Sequence, residues 1–293
     1  MKRESVTIEQ VTEMISHQFP KYRKLEVKPV EIQGHDNYSF RLGSELIIRV
    51  PAALEYASKV PIEYKALPEL AKCLSFQIPI PLHLGRKSRV FPYPFLISTW
   101  LPGISLNLMS KTMSEDVTFA HNLAQFLKQL QSVTQVAEIK PGLHNWYRGS
   151  HISVYDQQIR QQTKLIHDYI DTTRILTLWD SACATKWQRD SVWVHGDIAP
   201  GNLIFNNGDF YAVIDFGGLA VGDPACDLVI AWTYFKGRAR EVFISEMDLD
   251  QETWLRAKAW ALWKSTYEIS HGIEVIGQSK ASLRAVIEQV LEE

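Results

Sequence analysis

The sequence predicts an α+β chain in which a sheet-rich N-terminal part precedes a larger, mainly helical part. Three observations carry this. Alternating apolar runs concentrate before residue 100, apolar stripes at helical spacing follow it, and Leu101-Pro102-Gly103 breaks the pattern between them. The boundary placed there gives an N-terminal part over residues 1–97 and a C-terminal part over 98–293.

The elements follow in order. Thr7 with Gln10 three residues on is a capping-box start for a helix carrying Ile8, Val11 and Ile15 on one face, ending near Pro20. Tyr38, Phe40 and Leu42 alternate with Ser39 and Arg41, Gly43-Ser44 marks a turn, and 46–50 reads as the returning strand of a hairpin. Residues 60–75 read as a helix containing Glu63 and restricted by Pro68. The 76–82 stretch holds too much proline for a helix, and 90–100 carries two strand-like runs. Phe119, Leu123, Phe126, Leu127 and Leu130 form a helical stripe for which Ser114 is the expected cap. A polar helix is expected over much of 153–186, short apolar runs at 192–194 and 211–214 flank a loop, and helices are expected at 224–235, 251–270 and from 280.

Composition excludes several classes. Hydrophobic residues make up 46% and charged residues 22%, ordinary for a soluble globular protein. A formal net charge of -2 with no dense Lys/Arg run argues against a nucleic-acid partner. No stretch approaches the roughly 20 apolar residues that span a bilayer, and the opening MKRESVTIEQ lacks a secretory signal's apolar core. No membrane association and a cytoplasmic location are therefore expected. Cys73, Cys183 and Cys226 form no CxxC pair and no zinc pattern, and read as buried or half-buried thiols in a reducing compartment.

The chemistry concentrates in 194–217. His195-Gly196-Asp197 is followed five residues after the aspartate by Asn202, and thirteen residues later by Asp215-Phe216-Gly217. This is the order and spacing of a kinase catalytic loop followed by its metal-binding Asp-Phe-Gly. Phosphoryl transfer needs a carboxylate within reach of the attacking hydroxyl, here Asp197, and hard oxygen ligands for Mg2+, here Asn202 and Asp215. His195 is expected to orient the loop rather than to move protons. Gly196, Pro200 and Gly201 suit a tight bend.

VHGDIAPGNLIF over 194–205, with IDFGGLAVGDPACDL over 214–228, resembles the aminoglycoside and macrolide phosphotransferase family, relatives of choline kinase. His195 is followed by Gly-Asp, as in that family, and Gly222-Asp223-Pro224-Ala225-Cys226-Asp227-Leu228 matches its third block. The resemblance implies a two-lobed protein-kinase-like fold with a small antiparallel-sheet N-lobe and a larger helical C-lobe. It implies that Asp227 supports the catalytic loop by hydrogen bonding through His195 or nearby backbone. It places Arg49, on a strand, at the nucleotide phosphates with Glu63 of the next helix as its partner, an arginine standing where the aminoglycoside kinases use lysine. Gly34 and Asn37 then belong to the phosphate-covering turn. Ser98 and Trp100 fall at the inter-lobe hinge, whose backbone meets the adenine edge.

The implied activity is transfer of the γ-phosphoryl group of ATP, or of GTP, to a hydroxyl of a small molecule, with an aminoglycoside or macrolide antibiotic as first acceptor. A metabolic kinase acting on an amino alcohol, sugar or amino acid uses the same catalytic residues and stays open. So does a nucleotide-binding regulator without catalysis, although Asp197, Asn202 and Asp215 are all intact. A protein kinase fits less well, because Gly222-Asp223-Pro224 follows Phe216-Gly217 too closely for an activation segment. Trp100, Trp232, Trp260 and Trp263, among nine tryptophans, pack the core or line an apolar acceptor pocket; Glu268 and Glu274 are solvated charges or partners for an amino group. A monomer or a homodimer fits the sequence.

Overall fold

The structure is a computed structural model that describes residues 5–134, 139–168, 170–272 and 279–292. The chain divides into two compact units, the first comprising Met1–Pro102 with Ala212–Gly217 and the second Gly103–Tyr211 with Gly218–Glu293.

In the first unit, strands β1 (Val27–Pro29), β2 (Asn37–Leu42), β3 (Leu46–Pro51), β4 (Pro81–Gly85) and β5 (Phe95–Thr99) form a sheet in the order β1-β2-β3-β5-β4. All four pairings are antiparallel. The β2–β3 hairpin turns at Gly43, whose φ of +63° suits glycine. Helix α1 (Ile8–Gln18) starts with the expected capping box between Thr7 and Gln10. Its Val11, Met14 and Ile15 join Phe40, Leu42, Ile48, Val50, Phe95 and Ile97 in one core, since side chains two apart on a strand and three or four apart on a helix share a face. A single turn, α2 (Leu54–Ala57), leads into α3 (Val60–Leu70), which continues only two residues past Pro68. The unit reaches beyond residue 97 to Pro102, because Ser98 and Thr99 still pair with β3 and Trp100 N–H donates to the Glu45 carbonyl at 2.8 Å.

The second unit contains β6 (Ile104–Ser105), β7 (Val192–Val194), β8 (Leu203–Asn206), β9 (Asp209–Val213, whose end belongs to the first unit) and β10 (Ala220–Gly222). These form a β6-β8-β9 sheet and a β7-β10 pair. Its helices are α4 (Val117–Ser132), α5 (Asp156–Ile166), α6 (Thr172–Cys183), α7 (Ile230–Thr233), α8 (Gly237–Met247), α9 (Gln251–His271) and α10 (Lys280–Glu292). The α4 stripe is fully buried, and α9 packs against α5, α6 and α10.

Several expectations need correction. Only 95–99 of the 90–100 stretch is a strand; Phe91 enters the core from a proline-flanked loop instead. Asp116 rather than Ser114 caps α4, its carboxylate accepting the Phe119 N–H at 2.8 Å while the Ser114 carbonyl accepts from Lys236 N–H. The expected 153–186 helix is two helices, because Asp171 accepts the Thr173 and Arg174 amides and starts a second one. Residues 224–235 form a 3-10 turn and one short α turn, and α8 was not expected at all. Cys73 is exposed, unlike the other two thiols. No helix among the described residues is long and apolar enough to cross a membrane.

Candidate functional site

Within the first unit, β3 carries Arg49 inward and α3 places Glu63 beside it. Arg49 Nη1 donates to Glu63 Oε2 at 2.9 Å, and Nη2 donates to Asp215 Oδ1 at 2.5 Å. Burial works against the Arg49 charge, but the Glu63 and Asp215 carboxylates overcome it and hold the guanidinium above its ordinary value. Asp215 has a φ of +63°, a left-handed conformation that a non-glycine residue adopts at a cost and that recurs at functional sites. A second cation, Lys59, is nearly buried at the start of α3 and pairs with Asp36 at 2.8 Å.

Asp36 lies between the expected loop residues. Gly34 has no positive φ, and a Cβ there would lie 3.5 Å from the Asn37 carbonyl, an ordinary contact. Asn37 opens β2 opposite Pro51. Ser98 is buried within β5; the Trp100 N–H is already engaged within the sheet, and the Trp100 ring stacks under the Arg41 guanidinium at 4.0 Å.

In the second unit, β7 delivers His195-Gly196-Asp197 into a loop that closes on a 3-10 turn at Pro200–Asn202. Fully buried Asp227 clamps that loop: Oδ2 accepts the His195 N–H and Oδ1 the Gly196 N–H, both at 2.7 Å. Buried His195 receives the Asp197 N–H on Nδ1 at 3.2 Å. The Asn202 carboxamide nitrogen donates to both the Asp197 carbonyl and Asp197 Oδ2 at 2.9 Å, and Lys264 Nζ lies 3.7 Å from Oδ1. Thus one carboxylate oxygen is anchored by a neighbour in the same loop, and the other faces a cation from α9.

Gly196 is required here. Its φ is +84°, and a Cβ would come within 2.3 Å of the Gly218 carbonyl oxygen. Gly196→Ala is expected to cost at least about 1–3 kcal/mol and to lower turnover by displacing Asp197, as measured by urea unfolding and by activity of the folded fraction.

Asp223, in the same block as Asp227, has a structural position. Its Oδ2 accepts from Nε of Arg256 at 2.6 Å, and Arg256 is fully buried with further bonds to the Thr185 and Thr253 hydroxyls.

A shallow, open cleft lies beside Asp197, lined by Arg148, Cys226, Trp260, Trp263 and Lys264 among others. Trp260, Trp263, Lys264, Tyr267 and Glu268 share one face of α9 by their spacing of three and four residues. Trp263 stacks with Tyr155 at 4.1 Å and Tyr267 at 5.9 Å. Trp232 instead packs edge-on to Trp254.

Glu268 is buried, with Oε2 lacking a hydrogen-bond partner among the described residues, and burial pushes its carboxyl above the ordinary range despite Lys264. Glu274 lies outside the described residues. A carboxyl raised in the folded state binds its proton more tightly there, so its ionisation removes stability as pH rises from the usual glutamate range through the raised value. Glu268→Gln should therefore flatten the fall of unfolding free energy with rising pH, compared by urea titration between about pH 4 and pH 8.

The sequence points to Arg49, Glu63, Asp197, Asn202, Asp215 and Asp227 as candidates, and the structure places them in two sets. Arg49, Glu63 and Asp215 meet in the first unit; Asp197, Asn202, His195 and Asp227 meet in the second. The sequence did not single out Lys59, Arg148, Arg256 or Lys264. A signal existed for Lys264, which sits at helical spacing from Trp260 and Trp263. None existed for Arg148, which stands in an irregular loop.

An antiparallel sheet followed by a helical region, with a buried aspartate holding a His-Gly-Asp loop, defines a kinase-like phosphotransferase. The chain belongs to the phosphotransferase enzyme family, whose model matches residues 26–260. Solved structures agree on the fold. A GDP complex of wild-type aminoglycoside 2'-phosphotransferase-IIIa aligns with a TM-score of 0.70 at 18% identity, covering 98% of each chain. The apoenzyme of macrolide 2'-phosphotransferase MphH from Brachybacterium faecium aligns with a TM-score of 0.62 at 18% identity, covering 97% of each chain. A ternary complex of APH(2'')-IIa with streptomycin and ATP aligns with a TM-score of 0.60 at 19% identity, covering 99% of this chain and 98% of the other. No curated protein sequence matches the chain significantly.

Proposed function

We propose that the chain transfers the γ-phosphoryl group of ATP, with GTP as an alternative donor, to a hydroxyl of a small organic acceptor. The observation that carries this reading is the Asp197 carboxylate, held by Asn202 on a loop that buried Asp227 fixes through two backbone amides. The acceptor oxygen forms a bond to the γ-phosphorus while the bond from phosphorus to the β,γ-bridging oxygen breaks. The electron pair of the broken bond leaves with the nucleoside diphosphate, and the hydroxyl proton passes to Asp197. Arg49, braced by Glu63, steadies the nucleotide phosphates.

The donor chemistry of two residues fits magnesium. Asp215 offers a carboxylate, and Asn202, whose nitrogen is committed to Asp197, offers its carbonyl oxygen. A magnesium ion held by donors of this kind would neutralise charge on the phosphates.

Kanamycin and streptomycin bound in two structural neighbours, and a third neighbour that is a macrolide phosphotransferase, support an aminoglycoside or macrolide as one acceptor class. A metabolic hydroxyl compound is the second, and the cations Arg148 and Lys264 beside Asp197 favour it. A screen with labelled ATP and GTP across antibiotics, amino alcohols, sugars and hydroxy acids tests the reading, with magnesium present or chelated. Labelled product only in the presence of magnesium is expected. Transfer undiminished by chelation would remove the metal from the account, and bound nucleotide with no transfer to any acceptor would leave a regulator.

A further inference from the structure

We propose that the acceptor carries an anionic group, a carboxylate, received by the Arg148 guanidinium while Asp197 addresses its hydroxyl; this rests on the phosphotransferase reading above.

Arg148 lines the same cleft as Asp197, yet no carboxylate of the described residues lies within salt-bridge distance of it. Its guanidinium is held instead over the rings of Trp263 at 4.9 Å and Trp260 at 5.1 Å. Such cation–π contacts hold the charge without consuming its N–H donors, and a guanidinium fork matches a carboxylate with two parallel hydrogen bonds.

The backbone under Arg148 is fixed with unusual effort. Buried Asn145 accepts the Gly142 N–H at 2.9 Å and donates to the Arg148 carbonyl at 2.9 Å and the Gly218 carbonyl at 3.1 Å. Trp146 and Tyr147 both adopt left-handed φ values, 54° and 53°, and Gly149 follows at 85°. Strain of this kind persists where the surroundings over-determine a conformation, as in ligand clamps.

Lys264 faces the Asp197 carboxylate at 3.7 Å, and buried Glu268 lies near enough to act on both Lys264 and Arg148, but it makes no salt bridge to Arg148. A ligand carboxylate would give Arg148 the close ion pair that no carboxylate of the described residues supplies.

Three matched probes test this: para-(hydroxymethyl)benzoate, the corresponding benzamide and the corresponding benzylamine. Each is titrated calorimetrically into the wild-type chain, Arg148→Gln, Arg148→Lys and a control, Arg189→Gln, at an exposed arginine elsewhere. The benzoate is expected to bind at least about tenfold more tightly than the amide, with the amine weakest. Arg148→Gln should erase that advantage, Arg148→Lys should keep part of it, and Arg189→Gln should leave it unchanged. ATP affinity should be unaltered in Arg148→Gln; circular dichroism checks its fold, and Arg148→Lys serves if it does not fold. No advantage for the benzoate, an advantage that survives Arg148→Gln, or a loss of ATP affinity instead would each overturn the proposal. Asp197-dependent phosphorylation of the amide or amine, with the benzoate unbound, would overturn it while leaving the phosphotransferase reading intact. Benzoate bound through Arg148 but never phosphorylated by any nucleotide would remove its role as acceptor.

Discussion

Asp197→Ala is expected to abolish detectable turnover while leaving nucleotide affinity largely unchanged. Asp197 is the proposed base, a carboxylate whose two oxygens are individually addressed, one by the Asn202 carboxamide and one by Lys264. Removing a positioned general base lowers the rate by roughly a hundred- to ten-thousand-fold. The proposed phosphate contact, Arg49, is braced independently by Glu63, so binding should survive the substitution. Asp197→Asn gives the sharper comparison, because it keeps the side-chain shape but lacks a carboxylate to accept the proton. Calorimetric titration of ATP and steady-state assays separate the two effects. Undiminished kcat in either variant removes the assigned base.

The second large effect concerns stability. Arg256→Ala is expected to cost about 3–5 kcal/mol, because it leaves the buried Asp223 carboxylate without its cation. Arg256 has no exposure, its Nε lies 2.6 Å from Asp223 Oδ2, and two threonine hydroxyls take further guanidinium protons. Replacing both partners with apolar residues of similar volume, as in Asp223→Leu with Arg256→Met, should be much less harmful than either single loss. Asp223 also accepts the Ala225 N–H, so the double variant keeps a smaller deficit from that lost bond. Urea unfolding of the single and double variants measures the coupling. A cost below about 1 kcal/mol for Arg256→Ala would show that the pair contributes little.

The sequence made the chemistry more legible than the architecture around it. Asp197, Asn202 and Asp215 stand out because the proposed function demands a fixed order on short loops behind apolar strands, and spacing survives translation into one dimension. The β2–β3 hairpin was equally readable, since strict alternation and a glycine turn are local properties. Boundaries within 153–186 were not, because a polar helix run gives no warning that Asp171 will capture two amides and restart it. Asp223 and Asp227 stand four residues apart in one motif, yet only three-dimensional packing separates an ion-pair partner on α9 from a clamp on the catalytic loop. Arg148 was invisible for a similar reason. Its environment is assembled from Asn145, two indoles of α9 and backbone conformations that no residue pattern encodes.

The direct test of the central claim is phosphorus NMR of a reaction containing the wild-type chain, ATP, magnesium and a mixture of hydroxylated acceptors, followed over time. The account predicts a growing phosphate-monoester resonance matched by ADP formation, both suppressed by a chelator and both absent with Asp197→Ala. Nucleotide that binds yet yields neither ADP nor monoester with any acceptor would contradict it.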